Sequence, residues 1–211
     1  MSRQWSIQRG QFWTMDLAQE EIAPVQARIP AEFSEIAVRD VSGIVEAIGR
    51  SAEGMVRSRF EGGVRCFVAR VGGQLAAYGW ASTRAEWIGE MDRDFRIPPG
   101  EVYVWDCLTR PEYRRNRLYS ALLADMAGRF QREGARRVWI GSNAENRPSI
   151  RGFVTAGFQP VAEVILLRLI SLRALRVKPM ATSGRGLAEP ITQALRADGE
   201  MRLGEWLVRL R

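Results

Sequence analysis

The chain has 211 residues, 46% of them hydrophobic and 26% charged, a balance that suits one folded domain and excludes disorder throughout. It has no histidine and two cysteines, which excludes histidine-dependent catalysis, a disulfide framework and a zinc cluster, so no metal site is predicted. The net charge of +7 reflects 31 basic residues, all arginine except Lys178, and guanidinium groups favour anionic ligands such as phosphates. No apolar run reaches the roughly 18 residues of a membrane span, and the N-terminus lacks a secretory signal, which predicts a cytoplasmic protein without a transmembrane segment.

The first half of the chain contains five predicted strands and two predicted short helices. The helices are expected at residues 41–49 and 52–61. Gly72 and Gly73 form a two-residue turn that predicts a β-hairpin. The strands are predicted at residues 11–17, 33–38, 64–71, 74–83 and 101–109. The last of these is rich in Val, Tyr and Trp, and Pro111 follows its end.

The second half alternates helices and strands. A helix is predicted at residues 118–133, because apolar side chains recur there at helical spacing: Leu118, Leu122, Leu123, Met126 and Phe130. Asn146 as N-cap and Gly157 as C-cap bound a second helix at about residues 148–156. Strands are predicted at residues 137–141 and, as the final strand, 161–172. The order of elements predicts a mixed α/β or α+β layer.

The C-terminal residues differ from the rest in composition. Residues 178–186 are rich in helix-breaking and small residues, which predicts a linker between a domain at 1–177 and a tail at 178–211. The spacing of Leu203, Trp206, Leu207 and Leu210 predicts an amphipathic helix in this tail. Docking on the domain or on a second subunit of a homodimer is the ordinary role of such a helix. A membrane surface or an acidic partner such as an acyl carrier protein is the alternative.

Four arginines lie in the loop before the helix that begins at Leu118, namely Arg110, Arg114, Arg115 and Arg117. The first turn of a helix has unpaired N–H groups and a partial positive charge. A loop of arginines around that helix start therefore predicts a site for an anion such as a pyrophosphate. The alternative is a solvated surface turn.

Two segments carry a family resemblance. Residues 106–123 combine a strand end, Pro111, Arg114 and a helix start, and residues 146–158 combine Asn146, Ser149, Phe153 and the pair Gly157-Phe158. In this order and spacing they resemble motifs A and B of the GNAT (GCN5-related N-acetyltransferase) superfamily. The resemblance covers about residues 64–172. It implies a central mixed sheet flanked by helices, which here would carry a C-terminal helical extension.

The resemblance also implies a cofactor, acetyl-CoA or another acyl-CoA, in a split between strands 101–109 and 137–141. A backbone N–H near Leu108 would polarise the thioester carbonyl. The residues implied to hold the cofactor are Cys107, Leu108 and Thr109 on the strand, Arg114, Arg115, Asn116, Arg117, Leu118, Tyr119 and Ser120 at the loop and helix start, and Asn146, Ser149 and Phe153 in the second motif.

Three of these residues depart from the family pattern. Arg117 and Tyr119 stand where the family has glycines, and we expect their side chains to be tolerated if φ stays negative and they point away from the ligand. Phe153 stands where many members have a tyrosine that protonates the leaving thiolate. Phenylalanine has no proton to donate, so that role is empty or is taken by another residue.

The candidate general bases are Glu101, Tyr103 and Asp106, each acting directly or through water. Strand alternation predicts Glu101, Tyr103 and Cys107 on one face, together with Trp105, and Asp106 on the other. The structural alternative is an edge ion pair for the carboxylates and a core position for the tyrosine. Cys107 is a weaker candidate nucleophile, since a thiol without a histidine partner needs another route to the thiolate.

These observations favour an enzyme that moves an acetyl group from acetyl-CoA to a primary amine of a small molecule by direct attack in a ternary complex. Two alternatives stay open, an acyltransferase that uses long-chain acyl-CoA or acyl carrier protein, and a non-catalytic binding module of the same fold. Nucleic-acid binding is not favoured, because no aromatic-basic motif is present. Four tryptophans (80, 87, 105 and 139) suit a core or an acceptor pocket, and the acidic residues Glu86, Glu90, Asp92 and Asp94 suit a solvated loop or attraction of a cationic acceptor.

Overall fold

The computed structural model describes residues 5–18, 22–180 and 185–210. Within these ranges the chain forms a ten-stranded sheet, a separate two-stranded sheet and five α-helices. The strands are β1 (Trp5–Asp16), β2 (Glu32–Ile36), β3 (Arg65–Val71), β4 (Gln74–Ser82), β5 (Ala85–Ile88), β6 (Arg93–Arg96), β7 (Glu101–Thr109), β8 (Arg137–Asn143), β9 (Gln159–Leu169), β10 (Leu172–Pro179), β11 (Met201–Leu203) and β12 (Trp206–Leu210). The helices are α1 (Val41–Ile48), α2 (Glu53–Glu61), α3 (Leu118–Arg132), α4 (Arg147–Ala156) and α5 (Arg185–Ala194).

The predicted class, a mixed α/β layer with a central sheet flanked by helices, is confirmed. β7 has the predicted ends, and α3 ends one residue before the predicted Glu133. Gly134, with φ of 85°, and Gly157, with φ of 97°, follow α3 and α4 in the left-handed region, where glycine is least strained. No helix in the described ranges is long and apolar enough to cross a membrane.

The order of strands across the large sheet is β11-β12-β10-β9-β1-β8-β7-β4-β3-β2. All neighbouring pairs are antiparallel except β7 and β8, which pair in parallel from Glu101–Arg137 to Val104–Ile140. The N-terminal strand β1 lies between β8 and β9 and is antiparallel to both. It thereby joins strands that the chain forms more than 120 residues later.

Helices cover the two faces of the sheet differently. On the helical face, α3 and α4 pack on the alternate side chains of the central strands, with Val104, Ile140, Leu122 and Phe153 in one core. On the opposite face, here called the hairpin face, α1 and α2 cover the β2–β4 side. The β5–β6 hairpin and α5 cover β1, β8, β9 and β10 on the same face.

The helix predicted at Leu203–Leu210 is wrong. Residues 201–210 form the hairpin β11–β12, with Gly204 in its turn at φ of 61°, and β12 pairs with β10. The helical spacing extends over only eight residues, and within them Trp206, Val208 and Leu210 also repeat every two residues. Pairing with the open edge of β10 decides between the two structures. Leu207 faces the hairpin-face core, whereas its neighbours point the other way.

The final strand predicted at residues 161–172 is also wrong at its end. β9 stops at Leu169, Ile170 and Ser171 form the turn, and β10 returns as far as Pro179. The predicted linker therefore begins within a strand, and its residues 181–184 lie outside the described ranges. The helix that the tail does contain is α5, and the division of the chain at residue 178 stays a prediction.

A buried ion pair ties the tail to the hairpin face. Arg93 on β6 is 2% exposed, and its Nη2 lies 2.9 Å from Oε1 of Glu200, whose side chain is fully buried. Arg93 Nη1 also donates to the carbonyl of Leu195, at 2.8 Å, and Glu200 Oε2 accepts from the N–H of Ala197, at 3.0 Å. The segment after α5 is thus fixed to β6 by charge-assisted hydrogen bonds.

Candidate functional site

A cleft opens where β7 and β8 stop pairing. Beyond Val104 and Ile140, β7 continues along β4 while β8 continues along β1. We call the gap between residues 105–109 of β7 and 141–143 of β8 the strand cleft. It lies where the resemblance placed the cofactor.

A β-bulge in β7 changes which side chains face the two sides of the cleft. Gly79 on β4 opposes both Asp106 and Cys107, and Asp106 has φ of 42°, a conformation that aspartate tolerates better than most residues. Asp106 therefore joins Tyr103 and Trp105 on the hairpin face, and Cys107 turns to the helical-face core. The predicted faces of Asp106 and Cys107 are wrong because alternation breaks at a bulge.

The backbone of Thr109 is directed at the strand cleft. The N–H of Arg110 donates to the carbonyl of Ala76, at 2.9 Å. Because bonded and non-bonded pairs alternate in an antiparallel ladder, the next bonded pair is Tyr78 with Leu108. The backbone N–H of Leu108 therefore points at β4 and away from the strand cleft. The backbone N–H and carbonyl of Thr109 face the cleft instead. Its carbonyl accepts from Arg114 Nε, at 3.3 Å.

The loop before α3, residues 110–117, is held in a strained conformation. Arg115 and Arg117 have φ of 67° and 57°, so the condition of a negative φ, under which a side chain would be tolerated easily, is not met at Arg117. Each such residue costs about 1–2 kcal/mol relative to the right-handed region. Arg28, which lies outside the loop, holds it with two hydrogen bonds. Its backbone N–H donates to the carbonyl of Asn116, at 2.9 Å, and its Nη1 donates to the carbonyl of Arg115, at 3.3 Å. The Asn116 amide group bonds within the loop, to the carbonyls of Tyr113 and Arg114.

The start of α3 presents backbone N–H groups to this loop. The first intrahelical bond of the helix runs from the N–H of Ala121 to the carbonyl of Arg117, at 3.0 Å. The N–H groups of Leu118, Tyr119 and Ser120 precede it and have no carbonyl one turn earlier in the helix. Together with the arginines they form a positively polarised end of the strand cleft.

Tyr119 spans the gap between α3 and α4. A Cβ atom placed on Gly152 would lie 2.5 Å from Cδ1 of its ring, so the glycine makes room for the tyrosine. Burial raises the pKa of Tyr119, and the neighbouring Ser149 side chain offsets part of that rise. The ring centroid lies 6.2 Å from that of Phe153. Asn146 caps α4 by accepting from the N–H of Ser149, at 3.3 Å. The fold therefore brings these predicted motif residues together.

The three candidate bases lie in different surroundings. Glu101 is buried in the paired part of β7, where its carboxylate accepts from Arg137 Nη1 at 2.8 Å and from Trp139 Nε1 at 2.5 Å, away from the strand cleft. Tyr103 is buried against Phe95, and burial raises the pKa of its hydroxyl. Asp106 pairs with Arg59, with Nη1 and Oδ2 2.5 Å apart. Tyr103 and Asp106 are thus brought together at the cleft, and Glu101 is not.

Two adjoining cavities lie on the hairpin face beside the strand cleft. The front cavity, of about 670 Å³, is lined by Arg59, Trp87, Glu90, Trp105, Asp106 and Gly141, among others. The inner cavity, of about 120 Å³, lies between β1, β8 and β9 and the β5–β6 hairpin. Ile88, Glu90, Tyr103 and Gly141 line both cavities.

Arg59 is a site residue that was not predicted from the sequence. It lies on α2, and its guanidinium carbon is 4.3 Å from the ring centroid of Trp105 and 4.9 Å from that of Trp80. Its partner Asp106 is 47 positions away in the sequence. No local pattern signals such a contact, which only the packing of α2 on β4 and β7 creates.

The acidic residues before β7 do not act as one cluster. Glu86 is hydrogen-bonded to Ser82, and burial raises its pKa. Asp92 is paired with Arg173. Of the four predicted acids, Glu90 lines the cavities.

The two cysteines are expected to resist alkylation in the native protein. Burial raises the pKa of both Cys66 and Cys107, so the neutral thiols dominate at pH 8 and the reactive thiolate is rare. Iodoacetamide at pH 8, followed by mass spectrometry, should label neither cysteine in the folded protein and both after denaturation. Rapid native labelling of Cys107 would instead support a nucleophilic role.

Comparison with known proteins places this architecture in a family. A sequence model of the acetyltransferase (GNAT) family matches residues 39–158. The search of curated proteins returned no match. The GCN5-related N-acetyltransferase from Sphaerobacter thermophilus has a TM-score of 0.56 at 18% identity, over 78% of this chain and 52% of that one. A putative acetyltransferase of the GNAT family from Novosphingobium aromaticivorans has a TM-score of 0.51 at 20% identity, over 79% and 68%.

A conserved protein of unknown function from Staphylococcus epidermidis has a TM-score of 0.50 at 9% identity, over 78% of this chain and 63% of that one. The chain thus spans about half to two thirds of the length of these three structures. At such identities the likeness establishes the fold alone. The family match is the stronger finding, because it covers more than half of the chain and includes the strand cleft, the arginine loop, α3 and α4. The chain therefore belongs to the acetyltransferase (GNAT) family.

Proposed function

We propose that the protein is an N-acetyltransferase that moves the acetyl group of acetyl-CoA to a primary amine of a small molecule. One observation carries the proposal. The strand cleft has a positively polarised helix start at one end and opens, at Trp105 and Gly141, into the front cavity. A donor with a phosphate end and an acceptor could therefore approach the same point from two sides.

The residues at the helix start fit the phosphate end of the donor. Backbone N–H groups at Leu118, Tyr119 and Ser120 and the guanidinium groups of Arg114, Arg115 and Arg117 would hold a pyrophosphate. The Thr109 backbone would pair with the amides of the pantetheine arm. Tyr119, packed on Gly152, narrows the gap between α3 and α4 above this path.

Acetyl-CoA supplies an electrophilic thioester carbonyl. In the proposed reaction the neutral amine would attack that carbon directly in a ternary complex, so that a C–N bond forms, the C–S bond breaks with CoA leaving as its thiolate, and the nitrogen gives up a proton. Asp106 is the candidate that lies at the front cavity with a carboxylate, and we assign it the acceptance of that proton through water. Arg59 holds the carboxylate in place through Oδ2.

Thermal unfolding with acetyl-CoA, free CoA and a long-chain acyl-CoA tests the proposal. A ligand at about 100 times its dissociation constant stabilises by about 2.7 kcal/mol, which raises the melting temperature of a chain this size by roughly 5–11 °C. We expect this rise with acetyl-CoA and its loss in the double variant Arg115→Glu/Arg117→Glu. The control Arg39→Glu/Arg50→Glu changes the net charge equally on exposed residues near α1 and should keep the rise.

Other outcomes of this experiment decide between the alternatives. A rise with the long-chain thioester alone would move the assignment to long-chain acyl transfer. No rise with any thioester would favour a binding module in which Tyr119 closes the donor path. A rise that survives charge reversal at Arg115 and Arg117 would place the donor elsewhere.

A further inference from the structure

We infer that the acceptor is a primary amine that carries one apolar group of about the size of a benzene ring and no carboxylate. The inference rests on the proposed function and deepens it, since it names the substrate class. It follows from the size of the inner cavity, the charges that line both cavities and the way the cavities meet the strand cleft.

The inner cavity is enclosed mainly by apolar side chains. Its walls include Phe12, Ile88, Met91, Val164 and Leu166. At about 120 Å³ it approaches the volume of engineered apolar cavities, roughly 150 Å³, that stay dry and bind benzene. An apolar group of that size would fill the apolar part of the cavity. Gln8, Ser142 and Asn143 also line it, and Gln8 Oε1 is buried there without a hydrogen-bond partner among the described residues, so one donor on the ring could be satisfied. A sugar or a polyamine would instead place several polar groups against the apolar walls.

The inner cavity lies where it could hold the end of an acceptor that is remote from the reacting amine. Tyr103 and Gly141 line both cavities. Gly141 is also the first residue of β8 beyond the parallel ladder, so it borders the strand cleft. An acceptor with its apolar group in the inner cavity would therefore extend its amine toward the cleft.

The charges around the cavities favour an ammonium and disfavour a carboxylate. Glu90 and Asp106 are the carboxylates among the described lining residues of the front cavity. Arg59, which could otherwise pair with an acceptor carboxylate, is bound to Asp106 and lies over the rings of the neighbouring Trp80 and Trp105.

Two further arginines lie near the cavities. Arg9 contributes to the lining of the inner cavity, but most of its side chain is exposed and it forms a loose ion pair, with Nη1 3.7 Å from the carboxylate of Glu163. Arg168 Nη2 donates to the main-chain carbonyl of Glu90, at 2.6 Å. The negative charge of Asp106 is balanced by Arg59. Glu90 is therefore the carboxylate that can attract one ammonium group, which suits a monoamine better than a polyamine.

A panel of four amines tests the class. The probes are 2-phenylethylamine, L-phenylalanine, ethylamine and spermidine, each assayed for acetylation with acetyl-CoA and for binding by calorimetry in the presence and absence of CoA. Phenylalanine matches phenylethylamine except for its carboxylate, and ethylamine matches it except for the ring. We expect kcat/KM for phenylethylamine to exceed that for each of the other three at least about tenfold, since even one methylene in an apolar pocket changes specificity by about 10–200-fold.

Two variants on β9 test whether the phenyl ring of 2-phenylethylamine binds in the inner cavity. Leu166→Phe should fill the inner cavity, raise KM for phenylethylamine about tenfold or more and leave ethylamine within about twofold. Leu167→Phe, on the opposite face of β9, is the matched control and should change neither value. The melting temperature of each variant is measured alongside, and Val164→Ile, which adds one methylene, replaces Leu166→Phe if that variant is unstable.

The outcomes separate the inference from the proposed function. Equal or better use of phenylalanine or spermidine would overturn the inference while acetyl transfer stands. The same holds if Leu166→Phe leaves phenylethylamine unaffected in a folded protein. If no thioester binds but phenylethylamine still binds and Leu166→Phe weakens it, the proposed function fails and the amine-binding cavity stands.

Discussion

Replacing Glu200 by glutamine is expected to lower the free energy of unfolding by about 3–5 kcal/mol. The change leaves the guanidinium of Arg93, which is 2% exposed, without its counter-charge in the interior. For a chain of this size the loss corresponds to a fall of roughly 6–20 °C in melting temperature. Differential scanning calorimetry of Glu200→Gln against the unchanged protein measures it.

An exposed pair of the same type provides the control. Glu53 and Arg57 form an i,i+4 pair on α2 at 2.8 Å, with about half of each side chain exposed. Glu53→Gln should therefore change stability by no more than about 0.5 kcal/mol. The double variant Arg93→Met/Glu200→Leu should recover much of the loss, because it removes both charges together. A Glu200→Gln protein that melts like the unchanged one would show that the pair does not anchor the tail.

Replacing Gly152 by alanine is expected to destabilise the protein by about 1–3 kcal/mol through overpacking. The new Cβ would lie 2.5 and 2.7 Å from Cδ1 and Cε1 of Tyr119, closer than any ordinary contact. The ring would have to leave the gap between α3 and α4 or push the helices apart. Chemical denaturation, read as a shift of the midpoint, measures the effect.

A second glycine in a helix shows what the same substitution does without a clash. A Cβ on Gly128 in α3 would meet nothing nearer than Arg132 Nη1, at 3.5 Å. Gly128→Ala should therefore stabilise by about 0.5–1 kcal/mol, the usual helical gain. A double-mutant cycle combines Gly152→Ala with Tyr119→Ala. Gly152→Ala should destabilise the Tyr119→Ala protein less than it destabilises the unchanged protein, with a coupling free energy of roughly 0.5–3 kcal/mol between the two sites. Additive effects would mean that Tyr119 does not occupy the gap.

Elements with a long local pattern could be predicted from the sequence. Helix α3 presents its apolar side chains over four turns, and Asn146 and Gly157 mark both ends of α4. The hairpin β11–β12 could not be predicted in the same way, because its short apolar pattern contains both a helical spacing and the alternation of Trp206, Val208 and Leu210. Nothing in residues 5–16 indicates that β1 inserts between β8 and β9, since that position depends on partners far along the chain.

The candidate site likewise contains residues that local sequence patterns predict and residues that they do not predict. The loop before α3 and the motif residues of α4 follow local spacing, and the fold brings them together around Tyr119. The face of Asp106 depends on a bulge that is visible only in the pairing of β7 with β4. Arg59 and the two cavities arise from packing between elements that are remote in sequence, so no motif contains them.

The place of β1 has a consequence for the order of synthesis. Residues 5–16 leave the ribosome well before their partner strands, which begin at Arg137 and Gln159. At usual translation rates the delay before β8 exists is on the order of 10 s. During that time the most apolar part of β1, with Phe12 and Trp13, has no partner strand, and it is exposed to chaperones and to other nascent chains. The centre of the sheet can therefore close only after β8 and β9 have been made, which makes its folding late relative to the synthesis of β1.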